Sequence, residues 1–286
     1  MQNSKRRELK VTLIGWVVIP VFFMFSLVND ALTKELTPGW SPKDISQEKS
    51  PYTKPFEVEK SPIQPLVWDG KGMVTLFFDD AWSSQYANAF PLVEKYGYNG
   101  AVAVPTDFPG YDGYISWDNL RKMQAAGWEI VSHSVDHDCD YLSKGSGEIE
   151  KQLKDSKHRL TLEGLRSDHF VSPCGKNSPE LQEISRKYYK SLRLIEENIN
   201  IMPVKDPYDL EAVGGGVNVK LENVKWWISQ AKSRNMWLII MFHQVDEQNH
   251  EYGATPARLE EILQTIKQMN LRVVLPSEAL SVYEKN

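Results

Sequence analysis

Seven short apolar runs alternate with amphipathic segments along most of this 286-residue chain. Each run is short and rich in β-branched or aromatic residues, which is typical of buried strands. The runs are VTLFF from Val74, AVAVPT from Ala101, EIVSHS from Glu129, FVSP from Phe170, KSLRLI from Lys190, WLIIMF from Trp237 and RVVLPS from Arg272. Helical periodicity occupies residues 85–96, 117–126, 147–162, 179–188, 221–235 and 255–269. The alternation predicts an α/β fold with a mostly parallel sheet, and about seven repeats favour a barrel.

Chemically useful side chains follow the apolar runs where each predicted strand ends. Asp79 and Asp80 end the first run, His133 and His137 follow the third, and His243 ends WLIIMF. Because the carboxyl ends of parallel strands lie on one face, we expect these five residues to share a pocket.

The spacing of His133 and His137 indicates a metal site. Two histidines four residues apart, joined by one carboxylate, form a facial set that leaves coordination positions open. Zinc is the first expectation, with cobalt, nickel, iron and manganese as alternatives. The same spacing also occurs on ordinary helix faces, so the interpretation depends on the neighbouring strand-end residues.

Four segments resemble, in order, the successive motifs of polysaccharide deacetylases with the NodB-homology domain, carbohydrate esterase family 4. They are Phe-Phe-Asp-Asp at 77–80, SHSVDH at 132–137, Pro-Cys-Gly at 173–175 and Phe-His at 242–243. The resemblance covers roughly Val67 to the C-terminus and is closest in pattern to the surface-polysaccharide, poly-N-acetylglucosamine deacetylase type. It implies a distorted (β/α) barrel of about seven parallel strands.

The resemblance also implies roles for individual residues. Asp79 matches the general base, Asp80 a metal ligand beside His133 and His137, and His243 the general acid. The main-chain N–H of Cys174, between Pro173 and Gly175, matches an oxyanion donor. The implied reaction is metal-dependent hydrolysis of N-acetyl groups on a cell-surface or cell-wall glycan containing N-acetylglucosamine, with release of acetate. An O-acetyl (xylan-type) esterase and a catalytically silent glycan-binding protein stay open as alternatives.

The third motif departs from the family at two positions. Many members have an arginine two residues before the proline to orient the base, and this chain has Val171. Arg193, at the end of KSLRLI, is expected to orient Asp79 from the next strand, against the alternative of a solvated charge. Cys174 replaces the usual aromatic residue. Cys139 and Cys174 are the two cysteines of the chain, and a disulfide and two free thiols both stay open.

Several further residues carry weaker expectations. Trp82 and Tyr111 could offer flat faces to sugar rings, beside Pro173 and Gly175 of the turn, although aromatic residues also pack barrel rims for stability alone. His169, just before a strand, is expected to be solvated. Gly214–Gly216 lacks the Lys-Ser/Thr of a phosphate loop and is expected to be a flexible turn.

The first 65 residues have a different composition from the rest. Residues 11–28 form an apolar run without a charge, about 27 Å long as a helix, preceded by Lys5, Arg6, Arg7 and Lys10. The positive-inside rule predicts a cytoplasmic flank at 1–10, an uncleaved single-pass signal anchor at 11–28, a flexible linker at 29–65 and an extracytoplasmic catalytic domain at 66–286. The alternative is a cleaved signal peptide and a secreted protein.

The charge distribution bears on partners. The net charge of -5, with no long basic stripe outside the N-terminal flank, argues against nucleic acid. The expected partners are an acetylated polysaccharide and, through the N-terminal helix, the membrane.

Overall fold

The computed structural model describes residue 66, residues 68–248 and residues 250–282. The predicted cytoplasmic flank, membrane anchor and linker lie outside these residues. Within the described ranges, no helix is both long and apolar enough to cross a bilayer.

A single parallel sheet forms the centre of the described region. Its strands are β1 Met73–Phe78, β2 Ala101–Val104, β3 Glu129–Ser132, β4 His169–Val171, β5 Ser191–Arg193, β6 Val213–Gly214, β7 Trp237–Phe242 and β8 Arg272–Val273. The strand order is β5-β4-β3-β2-β1-β7-β6, and β8 pairs with the first two residues of β1. Leu210 bridges to Arg193 of β5, three residues before β6 begins. The segment between β5 and β6 therefore contacts both edges of the sheet, and the fold is (β/α)-barrel-like.

Helices connect the strands in the order that the periodicity predicts. They are α1 Phe90–Lys95, preceded by a π-helical turn Gln85–Ala89, then α2 Trp117–Ala125, α3 Ser146–Leu162, α4 Pro179–Tyr188, α5 Leu221–Arg234, α6 Pro256–Gln268 and α7 Pro276–Leu280. Local sequence sets several of these starts. The Ser116, Ser178 and Thr255 hydroxyls each accept a hydrogen bond from a first-turn N–H, and a proline follows two of them.

Strands β1 to β5 and β7 are buried on both faces, which explains why they read as continuous apolar runs. Side chains alternate along a strand, so β1 and β7 each contribute to two layers. The inner layer contains Met73, Phe77, Trp237, Ile239 and Met241. The outer layer, packed against helices, contains Val74, Leu76, Phe78, Leu238, Ile240 and Phe242. Asp79 follows Phe77 by two residues, so the alternation directs it toward the interior.

Two sequence expectations were wrong. Gly214–Gly216 is not a loose turn, because a Cβ on Gly215 would lie 2.3 Å from the Phe242 ring and one on Gly216 would lie 2.4 Å from the Tyr252 carbonyl oxygen. His169 is not solvated but 2% exposed, and it contacts Ser191, Ser277 and Glu129. Strand β6 and helix α7 were not predicted, since both are too short to show a period.

Candidate active site

A buried ion pair joins β1 to β5. The Arg193 guanidinium donates to Asp79 Oδ2, and both side chains are about 2% exposed. Arg193 also lies 5.1 Å from the centre of the Phe77 ring, and its Nη1 is 3.4 Å from Met241 Sδ. Asp79 Oδ1 is buried and has no hydrogen-bond partner among the described residues. The pair thus leaves one carboxylate oxygen able to accept a proton.

Three donor groups converge beside this pair. His133 Nε2 lies 3.4 Å and His137 Nε2 3.3 Å from Asp80 Oδ1, and one ligand atom from each residue lies within 4.8 Å of the other two. Asp80 Oδ1 is buried without a hydrogen-bond partner in the described part of the chain. A buried carboxylate oxygen facing two imidazoles suits a divalent cation, so the donor set fits the metal that the sequence predicts.

The tautomer of His133 also suits binding of a metal ion. His133 Nδ1 is 2.8 Å from the main-chain oxygen of Val171. A carbonyl oxygen only accepts, so Nδ1 carries the hydrogen and the Nε2 lone pair is free for a cation. Val171 therefore contributes to the site through its backbone, although its side chain is not the arginine that many relatives have.

The charges around Asp80 favour its ionised form. Burial alone would raise the pKa of Asp80, but the adjacent imidazoles of His133, His243 and His137 hold it well below its usual range. Burial, reinforced by the charge of His133, lowers the pKa of His137. A carboxylate and a neutral imidazole are the forms that bind a metal.

His243 stands on the other side of Asp80. Its Nε2 lies 3.8 Å from Asp80 Oδ2, and its side chain is half-buried at the end of β7. The ring of Tyr252, which is 51% exposed, lies 5.9 Å from the His243 ring. An imidazole that lies between the donor cluster and an exposed side chain is placed to exchange a proton with a bound substrate.

Gln85 was missed by the sequence interpretation. Its buried side-chain amide donates to the main-chain oxygens of Asp79 and His243. It therefore ties the exit of β1 to the exit of β7. A single glutamine in a helical pattern gives no sequence signal for this role, because both acceptors are main-chain atoms.

The Pro173–Gly175 turn is held by a disulfide. Cys174 is bonded to Cys139, with their Cα atoms 5.6 Å apart, which resolves the alternative left open by the sequence. Cys174 has a φ of 54°, and its main-chain N–H makes no hydrogen bond within the described ranges. Pro173 is buried, and a Cβ on Gly175 would lie 2.7 Å from Cβ of Ile195. The turn therefore presents a free N–H beside the donor cluster's loop.

Left-handed backbone conformations are concentrated in this region. Of the seven non-glycine residues with positive φ in the described ranges, five belong to the site loops, namely Asp80, Ala81, Ser134, His137 and Cys174. The other two, Asn235 and Asn270, follow the last turns of α5 and α6. Such conformations cost free energy for residues with a Cβ and are typical of functional sites.

The aromatic residues near the site divide into a packed group beside the donor cluster and the exposed Tyr111. Trp82 Nε1 donates to Asp80 Oδ2 at 3.1 Å, and its ring stacks on Tyr114 at 4.6 Å. Phe108 packs on Tyr114 and lies 6.4 Å from the His137 ring. Tyr111 is 58% exposed, and among the described residues its ring makes no aromatic contact. The structure thus puts Tyr114, rather than Tyr111, against Trp82.

Comparison with known proteins agrees with this fold. The model of the polysaccharide deacetylase family matches residues 68–191. The protein YxkH of Bacillus subtilis strain 168, whose name assigns it provisionally to the polysaccharide deacetylases, is 28% identical over 161 residues. That match covers 56% of this chain and about half, 51%, of the relative.

Solved structures share the fold at low identity. A family 4 carbohydrate esterase from Streptomyces lividans, in complex with acetate, is 16% identical with a TM-score of 0.52, covering 73% of this chain and 95% of the other. The CE4 domain of a multidomain xylanase from the hindgut metagenome of Trinervitermes trinervoides is 16% identical with a TM-score of 0.54, covering 75% and 91%. A family 4 pseudoenzyme from Bacillus anthracis is 15% identical with a TM-score of 0.54, covering 73% and 66%. Residues 68–191 thus match the polysaccharide deacetylase family, and the described part of the chain has the NodB-type fold seen in carbohydrate esterase family 4.

Proposed function

We propose that this protein hydrolyses N-acetyl groups on a cell-surface or cell-wall glycan that contains N-acetylglucosamine, with a divalent metal, zinc first, held by Asp80, His133 and His137. The observation that carries the proposal is the convergence of a buried carboxylate–arginine pair, a three-residue donor set and a half-buried histidine at adjoining strand ends. The family match supports a hydrolase, and the donor set supports a metal.

Each residue has a role that follows from its position. Asp80, His133 and His137 would hold a divalent ion, which would supply Lewis acidity toward the acetyl carbonyl and lower the pKa of water. Asp79, through its unpartnered Oδ1, accepts a proton from the attacking water, and Arg193 holds the carboxylate in place. The Cys174 N–H donates to the developing oxyanion. His243 then gives a proton to the departing amine nitrogen.

An ester substrate is the second candidate within the same site. Water attack and oxyanion stabilisation are common to amide and ester hydrolysis, and one structural neighbour is the CE4 domain of a xylanase. An ester differs in its leaving group, since an alkoxide needs less help from an acid than an amine does. His243 would then contribute less to an O-acetyl substrate.

A catalytically silent glycan-binding protein is the candidate from another class. One fold neighbour is described as a pseudoenzyme, and this chain has Val171 where many relatives carry the arginine that orients the base. The ion pair between Arg193 and Asp79 favours an enzyme, because a base buried beside a guanidinium is held in one orientation.

The location of the reaction is also part of the proposal. A helix at 11–28 would anchor the protein in the cell membrane, with the catalytic domain outside, and a cleaved signal peptide would instead release it. Either arrangement brings the site to surface glycans.

The test is acetate release by the full chain from a panel of N-acetylated and O-acetylated glycans, with and without a chelator. We expect release that chelation abolishes and added metal restores. Asp79→Asn should lower kcat by about 10²–10⁴-fold with metal content unchanged, because it removes the base. Asp69→Asn is the matched control, since Asp69 forms an exposed pair with Lys71 before β1.

The outcomes separate the candidates. Preferential release from O-acetylated glycans would favour the esterase. Glycan binding without acetate release from any substrate, in a protein with metal bound, would favour the silent binding protein and refute the proposal.

A further inference from the structure

The Pro173–Gly175 turn, which carries the proposed oxyanion donor, is closed by hydrogen bonds at its ends, one of them from Ser172 Oγ to the main-chain oxygen of Lys176 at 2.5 Å. Gly175 N donates to the main-chain oxygen of Ser172, and Lys176 N to that of Pro173, each at 3.1 Å. Both bonds span Cys174 without including it. The residue is exposed, and within the described ranges its N–H makes no hydrogen bond. Hydrogen bonds therefore restrain the ends of the turn and do not involve the Cys174 N–H.

Cys139 supplies a covalent restraint at that residue. It lies two residues after His137, and its disulfide joins the loop of this donor to Cys174. A second, weaker link runs parallel to it, a hydrogen bond of 2.9 Å between Tyr141 Oη and Ser172 Oγ. The segment after His137 thus contacts the turn on both sides of Pro173.

The disulfide restrains a turn whose backbone has an unfavourable conformation. Cys174 and Gly175 both have positive φ, 54° and 64°. For cysteine this conformation is disfavoured by its Cβ, so a freed residue 174 has other backbone states available. With the neighbouring Cα atoms held in place, a change in φ at residue 174 rotates the Pro173–Cys174 peptide plane and with it the N–H.

We propose that Cys139 is a positioning residue: its disulfide with Cys174 fixes the direction of the oxyanion donor, and the activity of the protein depends on the redox state of this pair. The inference rests on the proposed deacetylase function. It predicts an effect on kcat, because an oxyanion forms only after the substrate has bound.

Reduction by a water-soluble phosphine tests this without a thiol that would compete for metal. Two electrons pass from phosphorus to the disulfide, the S–S bond breaks, and two thiols form. Water supplies the oxygen of the resulting phosphine oxide and the two thiol protons. Titration of two thiols per chain shows that the reduction is complete.

The first measurement is amide hydrogen exchange in the full chain, which does not require an active enzyme. We expect exchange of the Gly175 and Lys176 amides, whose hydrogen bonds span Cys174, to become about tenfold faster on reduction, while β7, at residues 237–242, stays unchanged as the internal control. Unchanged exchange in the turn after complete reduction would overturn the proposal. Equal acceleration in β7 would also overturn it, because the bond would then stabilise the whole fold rather than the turn.

The second measurement is kinetic and uses Cys139→Ser, Cys174→Ser and the double variant at saturating metal. We expect kcat to fall by the same factor, about 10-fold, in all three variants, with KM within twofold of wild type. The activity of the double variant should not change when the phosphine is added. A single bond removed in three ways gives one loss, not the product of two. Losses that multiply, or that follow loss of bound metal, would contradict the inference.

Failure of the proposed function is distinguishable from failure of this inference. If oxidised wild-type protein releases no acetate from any glycan, the deacetylase proposal fails, whereas the exchange measurement still decides whether the disulfide fixes the turn.

Discussion

At the scale of single residues, the candidate site has an arginine on a different strand from the one that the family motif carries. Val171 occupies the position where many relatives orient the base, and it pairs in register with Arg193 on the next strand. Both side chains belong to the inner face, where Arg193 also meets Phe77 and Met241. Arg193, one strand away from Val171, therefore reaches the Asp79 carboxylate. We therefore propose that Arg193 takes over the orienting role within the barrel.

Removing Arg193 should affect stability and activity separately. Arg193→Met leaves Asp79 buried without its cation, so we expect the free energy of unfolding to fall by about 3–5 kcal/mol. We also expect kcat to fall at least about 10-fold with metal content unchanged. Urea unfolding and acetate release measure the two effects. The double variant Asp79→Asn with Arg193→Met should recover much of the stability and none of the activity. Wild-type rates in Arg193→Met would refute the orienting role.

Trp82 should tune the metal site. Its indole N–H donates to Asp80 Oδ2, and partners that orient a ligand typically change metal affinity 10–100-fold. We expect Trp82→Phe, which keeps an aromatic ring but loses the donor, to weaken metal binding by about 10-fold, measured by competition with a chelating dye. The control is Trp226→Phe, an exposed tryptophan on α5. Equal metal affinity in the Trp82 and Trp226 variants would contradict the assignment.

The residues that were predicted and those that were missed differ in how they act. Asp79, Asp80, His133, His137 and His243 follow apolar runs, so their side chains mark the ends of parallel strands in the sequence itself. Gln85 and the Val171 carbonyl act on or through main-chain atoms. The prediction that His169 is solvated was wrong, because its buried partners come from β3, β5 and α7. The residues next to His169 in sequence do not specify these elements.

At the scale of elements, two-sided burial made the fold predictable. Strands that pack on both faces show as continuous apolar runs, and each of the seven predicted runs forms a strand. The six predicted helices also occur, close to their predicted limits. The first contains a π-helical turn that its periodicity does not reveal. That turn places Gln85 beneath the site, and Asn88 Nδ2 and Ser84 Oγ bond the backbone of Val245.

At the scale of the whole described fold, the carboxyl and amino ends of the strands have different roles. The carboxyl ends hold the candidate site in left-handed loops. The amino ends hold a buried polar cluster that fastens α7 to the sheet. Ser277 donates through its N and Oγ to Glu129, and His169 lies between Glu129, Ser191 and Ser277. Conformational strain at one end is thus accompanied by fully partnered polar groups at the other.

This cluster should make stability depend on pH. Burial alone would raise the pKa of Glu129, but the charge of His169 and the hydrogen bonds from His169 and Ser277 lower it below its ordinary value. A lowered folded-state pKa contributes stability above the unfolded-state pKa, near 4.5, and that contribution is lost as pH falls through the folded-state pKa. We therefore expect Glu129→Gln to be less stable than wild type by about 1.5–3 kcal/mol at pH 7, with the difference shrinking below about pH 4.5. Urea unfolding of both proteins in chelator, which removes the pH dependence of metal binding, measures the difference. A gap that stays constant or widens as pH falls would mean that the Glu129 charge does not stabilise the fold.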